Sequence, residues 1–205
     1  MIAIIDYGVG NLFSLRSSFE YIGADAVVTG DAHEIARCDR IVLPGVGAFQ
    51  DAADKLRRSG LDDVVRSEAG RGKPLLGICL GMQLLFDRSL EYGEHEGLGL
   101  TPGRVVPLTP LLPPELKVPH IGWNALNFPK DRPKSRLFQF VNEGGHVYFV
   151  HSYCATECGD AVIATAEYAV PVTAAVEREN VFGTQFHPEK SGETGLNILR
   201  AFCSV

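Results

Sequence analysis

Short, mostly apolar runs alternate along this chain with longer stretches in which apolar positions return every three or four residues. Ile2 to Ile5, Val27 to Val28, Arg40 to Leu43 and Leu75 to Ile78 are the short runs of the first half. Bounded by turn residues, they read as buried strands. Between them the helical period predicts an amphipathic helix from about Leu12 to Ile22. Asp31-Ala-His-Glu34 resembles a capping box opening a short helix, and further helices are expected over Phe49 to Arg57, Leu61 to Glu68 and Leu80 to Phe86. Strand alternating with helix is the signature of a parallel sheet covered by helices.

The second half differs. Pro107, Pro110, Pro113, Pro114 and Pro119 punctuate a segment expected to be irregular. Strand-like runs follow at His146 to His151, Val162 to Glu167, Thr173 to Arg178 and Val181 to Phe186, then a helix from Glu193 to Phe202. The fold expected is α/β, a three-layer sandwich with a mainly parallel central sheet and added antiparallel strands in the second half. No repeat or linker divides it, so residues 1–205 are read as one domain, a length that buries a core without staples.

Composition narrows the choice of function. An apolar fraction of 45% and a charged fraction of 21% are ordinary for a globular protein. A net charge of −6 with no basic cluster argues against nucleic-acid binding. The start runs straight into a strand without the charged and apolar regions of a signal peptide, and no apolar stretch is long enough to span a bilayer. The 5 cysteines are odd in number and scattered, so a disulfide framework is not expected and a reducing cytoplasm is. Cys154 and Cys158 lack a second pair to complete a zinc site and read as structural; no metal or cofactor is expected. Asp6-Tyr-Gly-Val-Gly-Asn11 has Gly-x-Gly but not the third glycine of a dinucleotide fingerprint.

Candidate chemistry centres on Cys79. It stands between the expected strand ending at Ile78 and the expected helix beginning at Leu80, with Gly77 and Gly81 two residues to either side. That is the context of a nucleophile elbow, where a tight turn brings backbone too close for a Cβ. A helix start also favours a thiolate. The partner is His187-Pro188-Glu189. In an extended segment these two side chains face the same way, so the carboxylate can fix the imidazole tautomer while the other ring nitrogen serves the thiol.

Gly77-Ile-Cys79-Leu-Gly81 together with His187-Pro-Glu189 resembles the triad, or class I, glutamine amidotransferases. Within them the likeness is greatest to the glutaminase subunits of imidazole glycerol phosphate synthases. It rests on Asp6 to Asn11, Pro44-Gly-Val-Gly-Ala-Phe49, His120-Ile-Gly-Trp-Asn124, Tyr148-Phe-Val-His-Ser-Tyr153 and Gln185-Phe-His-Pro-Glu-Lys-Ser191, which together span nearly the whole chain. The resemblance implies hydrolysis of L-glutamine to glutamate and ammonia through a Cys79 thioester, with His187 as acid and base and Glu189 orienting it. It implies an oxyanion hole from the Leu80 N–H and from Val46 or Gly47, and substrate contacts from Gln83, Glu91, Ser152 and Tyr153.

It further implies a heterodimer with a separate barrel-fold cyclase subunit of histidine biosynthesis. That subunit takes the ammonia through a channel and makes imidazole glycerol phosphate and aminoimidazole carboxamide ribotide. Such a barrel needs about 250 residues and is not contained in this chain. Asn11, Trp123, Tyr148 and Lys190 fall at interface and channel positions, and the Val46 peptide is expected to turn its N–H into place only when the partner is loaded. Three other readings stay open on the residues alone: the glutaminase subunit of another synthase, a hydrolase of γ-glutamyl peptides, and a catalytically silent binding module of the same fold.

Overall fold

The computed structural model describes all 205 residues. Its first half repeats strand and helix: β1 (Ile2–Ile5), α1 (Leu12–Tyr21), β2 (Ala26–Thr29), α2 (Ala32–Arg37), β3 (Arg40–Leu43), α3 (Phe49–Arg58), α4 (Leu61–Gly70), β4 (Leu75–Ile78) and α5 (Leu80–Leu84). The second half is mostly extended: β5 (Arg88–Ser89), β6 (His95–Glu96), β7 (Arg104–Pro107), β8 (His120–Asn127), β9 (His146–His151), β10 (Tyr153–Thr156), β11 (Val162–Tyr168), β12 (Val170–Arg178) and β13 (Val181–Thr184). Helix α6 (Gly192–Phe202) closes the chain. No helix is long and apolar enough to cross a membrane.

Nine strands form one sheet in the order β2-β1-β3-β4-β13-β12-β11-β8-β9. From β2 to β13 the pairings are parallel, and from β13 onward antiparallel. A smaller sheet, β10-β7-β5-β6, lies beside it. The expected architecture is therefore present. The first four parallel strands are short and apolar because both faces of that sheet are covered, which removes the need for alternation.

Alternate residues feed two cores. Ile2, Ile4, Val42, Leu76 and Ile78 pack with Leu15 and Phe19 of α1 and with Ile198, Leu199 and Phe202 of α6. Ala3, Ile5, Ile41, Leu43 and Leu75 pack on the opposite face with α2 to α5, through Ile35, Phe49, Leu56, Val65 and Leu84. Buried apolar area of this extent, about 25 cal/mol per Å², is the main force holding the three layers.

Two departures from the sequence pattern bear on the site. The strand expected to reach Phe186 ends at Thr184, and the backbone from Pro188 to Lys190 is a 3₁₀ turn, not an extended segment. Proline fixes its own φ at a helical value and has no N–H to lose, so it starts such a turn readily.

Candidate active site

Strands β4 and β13 are parallel neighbours, with Gly77 opposite Gly183 and Ile78 opposite Thr184. Cys79 follows one and His187 lies just past the other, so adjacency in the sheet unites residues far apart in the chain. The Cys79 N–H donates to the Thr184 carbonyl at 2.7 Å, extending the pairing to Cys79 itself. Ligand sites of open α/β sheets lie at the carboxyl ends of the strands, as here.

Cys79 has φ 54° and ψ −111°, a strained backbone for a residue with a side chain. Three glycines make that turn possible. A Cβ on Gly81 would stand 1.9 Å from the Leu43 carbonyl oxygen, one on Gly77 2.7 Å from the Gly81 oxygen, and one on Gly45 2.8 Å from the Gly81 nitrogen. The segment after β3 is thus pressed against the start of α5. The Tyr7 hydroxyl ties it down further by donating to the Pro44 carbonyl at 2.7 Å. Val46 and Gly47 extend from there into the same cavity as Leu80.

His187 Nδ1 meets Glu189 Oε1 at 2.8 Å, both side chains buried. The pairing expected from the sequence is present, although the 3₁₀ turn and not an extended strand produces it. Burial pushes the His187 imidazole toward its neutral form, but hydrogen bonding to Cys79 and Glu189 and their negative charges outweigh it, lifting the pKa to about 9. The Glu189 bond occupies Nδ1, so Nε2 is the nitrogen left to the sulfur. The turn is anchored from behind: the His187 N–H donates to the Tyr148 carbonyl at 3.1 Å, and the Ser191 hydroxyl donates to the His187 carbonyl at 2.6 Å.

Cys79 and His187 open onto a cavity of about 580 Å³, the size of a small-molecule site. Gln83, Glu91, Ser152, Tyr153 and Lys190 also line it, so every residue expected to touch substrate is there. Glu91 lies in a turn beyond β5, buried, with Oε2 accepting from the Phe49 N–H at 2.7 Å; this leaves its other oxygen for a cationic group. Gln83 Nε2 donates to the Tyr153 carbonyl at 3.2 Å and to Gln185 Oε1 at 3.0 Å. Both its hydrogens are committed, so Oε1 is its atom for a ligand. The Ser152 carbonyl already accepts from the Leu108 N–H.

Trp123 and Tyr148 face each other across β8 and β9, with ring centroids 5.9 Å apart. Trp123 is 54% exposed, beside an exposed Ile121, so it is not a core residue. Asn11 is exposed and caps α1 by accepting from the Ser14 N–H. Its loop meets the segment that follows β3, since a Cβ on Gly10 would touch Pro44 at 3.0 Å.

Sequence pattern alone does not single out Tyr7, Tyr92, His151 or Gln185. Tyr92 is exposed at the cavity mouth at a φ of 53°. His151 is buried beside the site, its Nδ1 against the Tyr153 carbonyl at 2.8 Å and its Nε2 against His120 Nδ1 at 3.0 Å. Burial, helped by the charges of His120 and His187, lowers its pKa to about 4 despite that carbonyl. Three of the four lie inside motif blocks already noted, but polarity alone does not reveal which neighbours a fold supplies. Cys154 and Cys158 are buried free thiols whose pKa values burial pushes up to about 11 and about 12, as befits inert packing residues.

Residues 3–204 match the profile of the family described as glutamine amidotransferase class-I. Among curated relatives, the imidazole glycerol phosphate synthase subunit HisH of Geobacillus thermodenitrificans is 51% identical, over 100% of this chain and 96% of its own length. That of Caldanaerobacter subterraneus is 48% identical, over 98% of this chain and 97% of its own. Among solved structures, a glutamine amidotransferase superposes with a TM-score of 0.75 at 18% identity, covering 99% of this chain and 100% of its own. PurLQS from Thermotoga maritima gives 0.72 at 21%, covering 99% and 97%; these two show likeness of fold.

Proposed function

The chain belongs to the class-I glutamine amidotransferases, among the HisH subunits of imidazole glycerol phosphate synthase, and on that premise we propose how its own residues release ammonia from glutamine. It is the glutaminase subunit acting in histidine biosynthesis, with glutamine as substrate and a cyclase subunit as partner. The observation that carries the mechanism is the strained Cys79 at the head of α5, sharing a cavity with a His187 already paired to Glu189.

The Cys79 thiolate attacks the side-chain amide carbon of glutamine, and the carbonyl oxygen takes the negative charge. The Leu80 N–H, with that of Val46 or Gly47, receives this oxyanion; one such donor is worth about 10²–10³ in rate. Imidazolium His187 gives its Nε2 proton to the departing nitrogen, and ammonia leaves as the thioester forms. Neutral His187 then takes a proton from water, whose oxygen attacks the thioester carbon. Glutamate departs and the thiolate is restored, so the cycle closes without external acid. Glu189 keeps Nδ1 protonated throughout.

Glu91 and Gln83 Oε1 together make an acceptor pair suited to the substrate ammonium, while Ser152 and Tyr153 border the amino-acid end. Ammonia at neutral pH is mostly protonated and then no nucleophile, so a dry passage to the partner preserves its reactivity. The exposed Trp123 and Tyr148 pair, with Lys190 and Asn11, is where we seat a barrel-shaped cyclase and the entrance of that passage. Residues 1–205 act as one domain in this reading. We assign the reaction to the cytoplasm, in keeping with five free cysteines.

Glutamate release by the chain with its cyclase subunit and the cyclase's substrate tests the proposal. Turnover is expected with the intact complex and lost with Cys79→Ser. Undiminished turnover by the Cys79→Ser complex would overturn it.

A further inference from the structure

A second buried group, besides His187, stands against the sulfur of Cys79: a side-chain amide. Gln185, the first residue after β13, is wholly buried, and its Nε2 lies 3.8 Å from Cys79 Sγ. A buried amide must pair its groups, and here the surroundings decide which end faces the sulfur. The Tyr153 carbonyl oxygen can only accept. It faces Gln83 at 3.2 Å, so the Gln83 nitrogen is on that side. The same nitrogen lies 3.0 Å from Gln185, which must therefore present its oxygen there and its nitrogen to Cys79.

Each reversal fails. Turning Gln185 over would set two nitrogens together and place a carbonyl against the sulfur. Turning Gln83 over would set its oxygen against the Tyr153 oxygen. His151 Nδ1 holds that oxygen from another direction at 2.8 Å, so the carbonyl at the root of the chain is fixed by two donors.

We propose that Gln185 is a further catalytic group of the reaction, its amide N–H serving as a fixed donor to the Cys79 sulfur. Resting on the thioester reading above, it deepens that reading. The amide has no proton to lose at working pH, so it favours the sulfur anion without competing with His187 for the transferred proton. The anion occurs twice in the cycle, before attack and when the thioester breaks, and the same N–H meets it both times. Donor bonds to charged groups are the stronger class of hydrogen bond. Gln83 is the positioning residue of the pair, coupling the substrate wall of the cavity to the nucleophile.

The test measures iodoacetamide alkylation of Cys79 against pH, read on the Cys79 peptide by mass spectrometry, in the full-length chain and in Gln185→Met and Gln83→Met. Steady-state turnover of each is measured in complex with the cyclase subunit. For Gln185→Met we expect the alkylation profile displaced to higher pH and slowed about tenfold on its rising limb. kcat should fall by a similar factor, with KM within about twofold. Gln83→Met should move the profile the same way by less, and it carries the test if circular dichroism shows Gln185→Met unfolded. An unmoved profile in every folded variant would overturn the donor role while leaving Cys79 as nucleophile. Turnover surviving in Cys79→Ser would instead remove the thioester reading.

Discussion

His187 shows how few groups the site needs and how closely each depends on the next. Its charge is held by a sulfur on one side and a carboxylate on the other, against burial that favours neutrality. Glu189→Gln keeps the shape and removes the negative charge. We expect kcat to fall about 10²-fold or more, since correctly poised acid–base groups contribute 10²–10⁴. The histidine titration, followed by NMR, should move down toward its ordinary range; an unchanged kcat would show that Glu189 does not act through the imidazole. At this scale the Cys79 turn and the His187–Glu189 pair are legible in the sequence, because a cysteine between flanking glycines and a His-x-Glu pair are specific. Gln185 and His151 are not. Their roles come from Gln83 and Tyr153, brought near by sheet order and invisible to local pattern.

Helix α5 depends on the strand beside it as much as on its own sequence. It is only five residues long, Leu80–Leu84, and cannot be stable alone. It is held because Gly81 lets its first turn touch the Leu43 carbonyl. Gly81→Ala should push the Pro44–Gly47 segment away from Cys79, destabilising by about 1–3 kcal/mol in urea titration and depressing turnover more than stability loss explains. Wild-type stability in that variant would refute the close-packing account. Elements with a clear period are legible in the sequence, including α1, α3, α4 and the parallel strands β1 to β4. The pattern does not reveal β5 and β6, at two residues each too short to show any period, nor the four-residue β7 and β10, nor β8, whose Gly122 and exposed Ile121 and Trp123 disguise an eight-residue strand. The 3₁₀ turn at Pro188 is hidden from the pattern because strand-like residues precede it and proline then overrules them.

Over the whole molecule, two buried histidines set opposing pH slopes. His187, raised to about 9, adds stability that is complete below its unfolded value of about 6.5 and is lost as pH climbs through 9. His151, lowered to about 4, adds stability present above about 6.5 and lost as pH falls through 4. Each is worth a few kcal/mol in order of magnitude. The urea midpoint should therefore peak near pH 6.5 and decline on both sides; a flat profile between pH 5 and 9 would contradict both environments. We also expect the chain alone to hydrolyse glutamine far more slowly than the loaded complex, because the Val46–Gly47 segment lies exposed at the cavity edge beside the proposed docking face. Full activity without the partner would exclude that coupling. The place of β13 between β4 and β12 bears on how the polypeptide emerges from the ribosome. Until residues 181–184 are made, Leu75–Ile78 has an uncovered edge, and such edges invite pairing with other nascent molecules. A version stopped before β13 should accumulate as insoluble aggregate even though every helix-covered strand of its first half is intact.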